Sequence, residues 1–225
     1  MIKELFNLFF PHLCVCCGRV LNKQEYLICE YCKFDLPYTN YHTVTDNPIE
    51  QRFWGRVDIE RATSLLFFSK GSKVQSIIHH LKYDNYPEVG VLLGRMAALM
   101  CSSFFHDVDC LVPVPLHLKK MKKRGYNQSS MICSGISDVL LIEQVSDLKR
   151  TVNANSQTKK SKIERYMNAI DNFEFSNSDS YSGKNIALID DVITTGATLE
   201  SCVMTIKKAQ PKAKISVFTL CCAGL

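Results

Sequence analysis

Residues 185–198, "NIALIDDVITTGAT", run an unbroken apolar segment straight into two adjacent carboxylates and then set three threonines around one glycine. An apolar run of this kind, without polar alternation, is a strand buried on both faces, and such strands belong to parallel sheets covered by helices. The rest of the chain agrees. Short β-branched or apolar runs at 62–69 ("ATSLLFFS"), 109–115 ("DCLVPVP") and 214–222 ("KISVFTLCC") alternate with helical patterns at 73–83, 88–105, 128–143 and 197–209. That alternation predicts an α/β fold, a mainly parallel sheet with helices on both faces. Residues 37–56 read as a loop, and the polar stretch "TVNANSQTKKSK" at 151–162 reads as a mobile functional loop. There is no internal repeat.

Composition bounds the class. A chain of 225 residues with 46% hydrophobic and 22% charged positions has room for one sizeable globular domain and a small appendage, and is too apolar for general disorder. Its net charge of +5 permits a polyanionic partner without requiring one. The apolar segment 89–105 is short for a membrane span and carries Arg95, so it reads as a buried core helix.

The cysteines speak to compartment and metal. The opening "MIKELFNLFFPHLC" is interrupted by Glu4 and Asn7 and is followed by no small-residue cleavage site, which points to a cytoplasmic, reducing location where cysteines are thiols or metal ligands. Cys14 and Cys17 form one C-x2-C pair and Cys29 and Cys32 another, with eleven residues between them. Four thiolates at this spacing match the tetrahedral all-sulfur shell of a structural zinc ion, although Cys16 offers an alternative ligand. Redox pairs or buried thiols explain two pairs within nineteen residues less well. Cys101, Cys110, Cys133, Cys202, Cys221 and Cys222 sit among apolar neighbours and read as core fillers. Leu5, Phe6, Phe9 and Phe10 share one side of a short helical pattern, read either as docked on the protein or as a partner or membrane-surface patch.

Chemistry concentrates at the end of the 185–190 strand. In a doubly wound sheet, ligands collect beyond the carboxyl ends of the strands, where Asp190 and Asp191 lie. The amides and hydroxyls of "TTGAT" then open a helix and suit a phosphate, with Gly196 allowing close backbone approach. The carboxylates suit ribose hydroxyls, directly or through magnesium. A plain acidic turn with a threonine helix cap would explain one threonine and not the pattern.

This stretch resembles the phosphoribosyl pyrophosphate (PRPP) motif of type I phosphoribosyltransferases. The resemblance implies that Asp190 and Asp191 meet the ribose while Thr194, Thr195, Gly196, Ala197 and Thr198 cradle its 5′-phosphate. "LVPVPLHLKKMKKRGYNQSS" (111–130) is similar to a family stretch in which a Pro-Val-Pro strand end precedes Arg-Gly-aromatic-Asn-Gln. In "QTKKSKIERYMNAIDNF" (157–173), Gln157, Ser161, Glu164, Arg165, Asn168 and Phe173 stand at family positions. With the cysteine module in front and "HLKY" at 80–83, the order of features resembles the ComF (ComFC) competence family over nearly the whole chain. Two departures stand out: Lys120 replaces a usual arginine, and Lys159 and Lys160 replace a Gly-Leu pair.

The resemblance implies a type I phosphoribosyltransferase-like domain over 37–225, with its hood or flexible loop around 150–173, behind a helix and four-cysteine zinc module over 1–36. It implies that Arg124, Gly125, Asn127 and Gln128, with Lys159 and Arg165 from the loop, screen the pyrophosphate together with magnesium. It also implies natural transformation, with single-stranded DNA and a helicase-like ATPase as partners. Two readings follow: a competence protein handling single-stranded DNA around a PRPP site, or an active transferase releasing pyrophosphate to an unidentified acceptor. The lysines of "KKMKKR" (119–124) suit either DNA or pyrophosphate, and Tyr126 or Tyr166 could stack on bases. His79, His80 and His117 are titratable candidates without an assigned role.

Overall fold

The computed structural model describes residues 11–151, 173–176 and 179–224. Its regular elements are α1 (Glu30–Phe34), β1 (Arg61–Phe67), α2 (Lys73–Tyr83), α3 (Pro87–Met100), α4 (Ser102–Phe105), β2 (Cys110–Pro113), α5 (Leu118–Arg124), α6 (Gln128–Leu140), β3 (Glu143–Gln144), β4 (Leu148–Arg150), β5 (Phe173–Phe175), β6 (Asn185–Ile193), α7 (Ala197–Ala209) and β7 (Lys214–Cys222). Five strands form a parallel sheet in the order β1-β7-β6-β2-β3, and β4 and β5 form a separate antiparallel pair.

The sheet is buried on both faces, as its apolar strands require. Along β6, Ala187 and Ile189 join the apolar cluster built with α2, α3 and α6, while Ile186 and Leu188 join a second cluster with α7, Ile49 and Phe53. The strand's period of two thus sends alternate side chains to two cores. Helices α3 and α6 approach closely because Gly94 and Gly135 face each other's backbone: a Cβ on Gly135 would collide with the Val91 carbonyl oxygen. The cysteine segment belongs to the first cluster through Cys14, Val15, Ile28, Cys29 and Leu36. Ser76 ties it to α2 by donating to the Val15 carbonyl at 2.7 Å.

Strand order creates the site. From β2 the chain moves outward through α6 to β3; it later returns to β6 on the other side of β2 and continues away through α7 to β7. The two halves diverge between β2 and β6, and a crevice at the carboxyl ends of adjacent strands is the expected consequence. Pro113 pairs with Ile189, and the Val114 amide donates to the Ile189 carbonyl at 2.9 Å. The loop after β2 is therefore laid beside Asp190.

The sequence-based elements at 73–83, 197–209 and 214–222 coincide with α2, α7 and β7. The single helix expected over 88–105 is broken at Cys101 into α3 and α4, and the one expected to reach 143 stops at Leu140 because Leu141 turns into a left-handed conformation, φ 58°. The basic run 118–124 is a helix with no buried residue, ended by Gly125 at φ 79°.

Candidate functional site

Beyond β6 the chain makes a tight turn at Gly196, φ 80°, which is also the N-cap of α7. No neighbour lies closer than 3.7 Å to where a Cβ would sit, so glycine is demanded by conformation rather than space. Thr194, Thr195, Ala197 and Thr198 are exposed around a small concavity of about 50 Å³ lined by Asp190 and residues 192–199. The first amides of α7 have no partner within the helix and add the positive end of its dipole. All five loop residues singled out by sequence therefore surround one anion-sized hollow.

Each carboxylate at its edge is held by its own donor. Asp190 Oδ1 accepts from Ser129 Oγ at 3.0 Å and from the Asp191 amide at 2.9 Å. Asp191 Oδ2 lies 2.9 Å from Lys82 Nζ, in a pair whose side chains are 20% (Lys82) and 14% (Asp191) exposed. Burial first, and then the neighbouring Asp191 charge, push the Asp190 carboxyl up to about 7, against the pull of the Asp191 amide, Ser129 and Lys82. Neither Lys82 nor Ser129 was singled out as a site residue by sequence reasoning. The available signal was the "HLKY" run, whose helix end is clamped here: Tyr126 Oη donates to the Leu81 carbonyl at 2.6 Å, and the Arg124 guanidinium lies 5.3 Å from the Tyr83 ring centroid.

The loop after β2 closes the other side. Arg124 Nη1 donates to Gln128 Oε1 at 2.8 Å, and Gln128 is buried with its Nε2 unpartnered among the described residues. Asn127 uses its amide within the protein, donating to the Val114 carbonyl at 2.9 Å and accepting from the Ser129 amide at 3.1 Å as the cap of α6. Gly125 supplies the left-handed turn between Arg124 and Tyr126. Tyr126, one of the two tyrosines offered for base stacking, is packed on the first apolar cluster with its hydroxyl engaged. Lys119, Lys120, Lys122 and Lys123 are exposed on α5. Lys159, Arg165 and Tyr166 lie outside the described residues, as do Gln157, Lys160, Ser161, Glu164, Asn168 and the 2–10 segment.

Sequence reasoning also missed Arg56. Its Nη1 donates to the Thr195 carbonyl at 3.0 Å and its Nη2 pairs with Glu200, whose side chain is 3% exposed. The reason is distance: residue 56 lies in a stretch read only as loop.

A second candidate centre lies in the amino-terminal segment. The sulfurs of Cys14, Cys17, Cys29 and Cys32 all lie within 4.8 Å of one another, with Cys17 and Cys29 3.9 Å apart. A tetrahedral shell with Zn–S bonds of about 2.3 Å places its sulfurs about 3.8 Å apart, so the donor set fits such an ion. Cys16 is not in the cluster, which resolves the alternative ligand set; burial pushes its thiol up to about 12. Burial also opposes ionisation of Cys14, but the amides of Cys29, Cys16 and Cys17 overcome it and bring that thiol down to about 6. Gly18, φ 74°, makes the turn that returns its amide to the Cys14 carbonyl at 2.8 Å.

Residues 128–224 match the phosphoribosyl transferase domain family. The parallel sheet and this match thus define a protein with a phosphoribosyltransferase-type domain. The chain is 25% identical to Competence protein F of Haemophilus influenzae over 204 residues, which is 87% of this chain and 84% of that protein. It is 36% identical to Competence protein ComFC of Bacillus subtilis over 110 residues, 49% of this chain and 43% of that one, and 26% identical to DNA utilization protein YhgH of Escherichia coli O157:H7 over 93% and 89% of the two chains. Among solved structures, glutamine PRPP amidotransferase from B. subtilis superposes with a TM-score of 0.46 and 16% identity, over 63% of this chain and 30% of that one. The likeness to Competence protein F and to YhgH extends over most of the chain, and its carboxyl-terminal part is a phosphoribosyl transferase domain.

Proposed function

We propose that this protein handles imported single-stranded DNA during natural transformation, using a PRPP-binding site of the transferase type. A competence role is supported by the relatives named Competence protein F and ComFC. The observation that carries the PRPP part is what strand order sets side by side at the carboxyl ends of β2 and β6. There the phosphate loop, two separately held carboxylates, and Arg124 with Gln128 converge from both halves of the sheet.

In this reading the loop amides and threonine hydroxyls bind the 5′-phosphate, and Asp190 and Asp191 accept from the ribose. Arg124 meets the pyrophosphate, joined by Lys159 and Arg165. Magnesium would be held with PRPP at the carboxylates and pyrophosphate, where it supplies screening of the phosphate charge. The four cysteines hold a structural zinc ion, since a closed shell of four ligands leaves no open position for catalysis. The exposed lysines of α5 track a DNA backbone. The protein works in the cytoplasm, where incoming DNA meets it beside a helicase-like ATPase. No helix among the described residues is long and apolar enough to cross a membrane.

A second reading, an active phosphoribosyltransferase, is favoured by the same convergence of sugar and pyrophosphate groups. A phosphorus NMR time course with PRPP and magnesium, with and without a metabolite extract, tests both against the double variant Asp190→Ala/Asp191→Ala. PRPP signals perturbed by wild type without pyrophosphate release support the binding reading, and extract-dependent release supports the transferase. Spectra identical to those with the double variant refute PRPP binding.

A further inference from the structure

The two carboxylates at the crevice are each fixed by a side chain that the PRPP motif does not contain. Asp190 Oδ1 takes two donors, Ser129 Oγ and the Asp191 amide. Asp191 Oδ2 takes Lys82 Nζ. Among the described residues, Asp190 Oδ2 and Asp191 Oδ1 have no donor. Two adjacent acidic residues are therefore each tied through one oxygen, with the other oxygen left over.

The donors themselves are held firmly. Ser129 is buried in the first turn of α6, with its amide bonded to Asn127 Oδ1 at 3.1 Å. Lys82 occupies the last turn of α2, whose Leu81 carbonyl is gripped by Tyr126 and whose Tyr83 ring lies under Arg124. A fully exposed ion pair would wander, because holding two long side chains costs as much as the weak attraction returns. At 20% (Lys82) and 14% (Asp191) exposure this pair is shielded, so the lysine sets the direction of the carboxylate.

We propose that Lys82 and Ser129 are positioning residues: they pin Asp191 and Asp190 so that one oxygen of each accepts from one hydroxyl of a vicinal diol on the bound sugar phosphate. The inference rests on the PRPP reading and deepens it. Neither residue touches the sugar; each acts through its carboxylate, and discrimination between a diol and its deoxygenated analogue depends on both.

The test is titration calorimetry of the full chain in magnesium buffer with ribose 5-phosphate and 2,3-dideoxyribose 5-phosphate. The phosphate loop holds both ligands, and only the first presents the diol. Wild type is expected to prefer ribose 5-phosphate by at least about tenfold, the value of one good charge-assisted hydrogen bond. Lys82→Met and Ser129→Ala are each expected to erase most of that preference while leaving affinity for the dideoxy compound unchanged, and Lys82→Arg to retain it. An unchanged preference in either variant overturns the assignment for that residue. Equal weakening of both ligands by Lys82→Met, in a variant that melts like wild type, means that the lysine contacts phosphate and overturns the positioning role. Wild type that binds neither sugar phosphate refutes the PRPP reading itself and this inference with it.

Discussion

The Arg56 guanidinium donates a 3.0 Å hydrogen bond to the Thr195 carbonyl while pairing with the buried Glu200 carboxylate. One side chain thus ties the 194–198 loop to the first turn of the helix behind it. Replacing Arg56 by alanine takes a charge partner from a buried acid beside the proposed phosphate site. Denaturant unfolding is expected to show a loss of about 2 kcal/mol, and PRPP affinity should fall with it. Arg56→Lys should recover only part, since an ammonium does not span both acceptors in one plane.

Asp190 makes stability depend on pH. Its folded carboxyl sits near 7, raised by burial and by Asp191 from the ordinary 3.8. Between those values the folded protein holds a proton that the unfolded chain has released, so stability declines as pH rises from about 4 to 7 and stays reduced above. Asp190→Asn cannot ionise and keeps an acceptor for Ser129. It should match wild type in stability near pH 4 and exceed it by about 4 kcal/mol at pH 8. Urea denaturation at the two pH values checks this, and equal differences at both would refute it.

Metal analysis should find one zinc per chain. Removing it with a chelator should lower the melting temperature, because three of the four thiols, Cys14, Cys29 and Cys32, lie in the apolar cluster of α2 and α3 and would lose the ion that ties them together. Cys29→Ser should abolish metal binding, while Cys16→Ser should leave metal content at one, since Cys16 stands outside the cluster.

Two glycines separate conformation from space. Gly196→Ala meets no collision but must hold an alanine at φ 80°, a cost of about 1 kcal/mol, and it should disturb phosphate binding more than folding. Gly135→Ala drives a methyl into the Val91 carbonyl at the α3–α6 contact, so a loss of about 4 kcal/mol or more is expected. Thermal melts of the two variants compare them directly.

If the α5 lysines track DNA, neutralising Lys119, Lys120, Lys122 and Lys123 should reduce the slope of log affinity against log salt by about 3 for single strands. Fluorescence anisotropy with a labelled oligonucleotide measures it. An unaltered slope would remove α5 from the DNA path.

Much of this protein was decided by local sequence. The strand that starts at 185, the glycine turn and the helix at 197–209 are nearest-neighbour facts, written in apolar runs, φ-permissive residues and amide-rich helix starts, and so is the spacing of the two C-x2-C motifs. The tertiary structure decided what those pieces meet. Whether Cys16 or its neighbours close the metal cluster depended on where each sulfur points. The end of the helix after 128 depended on a left-handed leucine at 141, a conformation that leucine seldom adopts by its own preference. Above all, Arg56, Lys82 and Ser129 reach the site across spans of more than a hundred, more than a hundred and 61 residues respectively to their partners Thr195, Asp191 and Asp190. An isolated lysine or serine carries no sign of a carboxylate so far along the chain. Sheet order brings them together by placing β2 beside β6, and that order is a property of the packed whole.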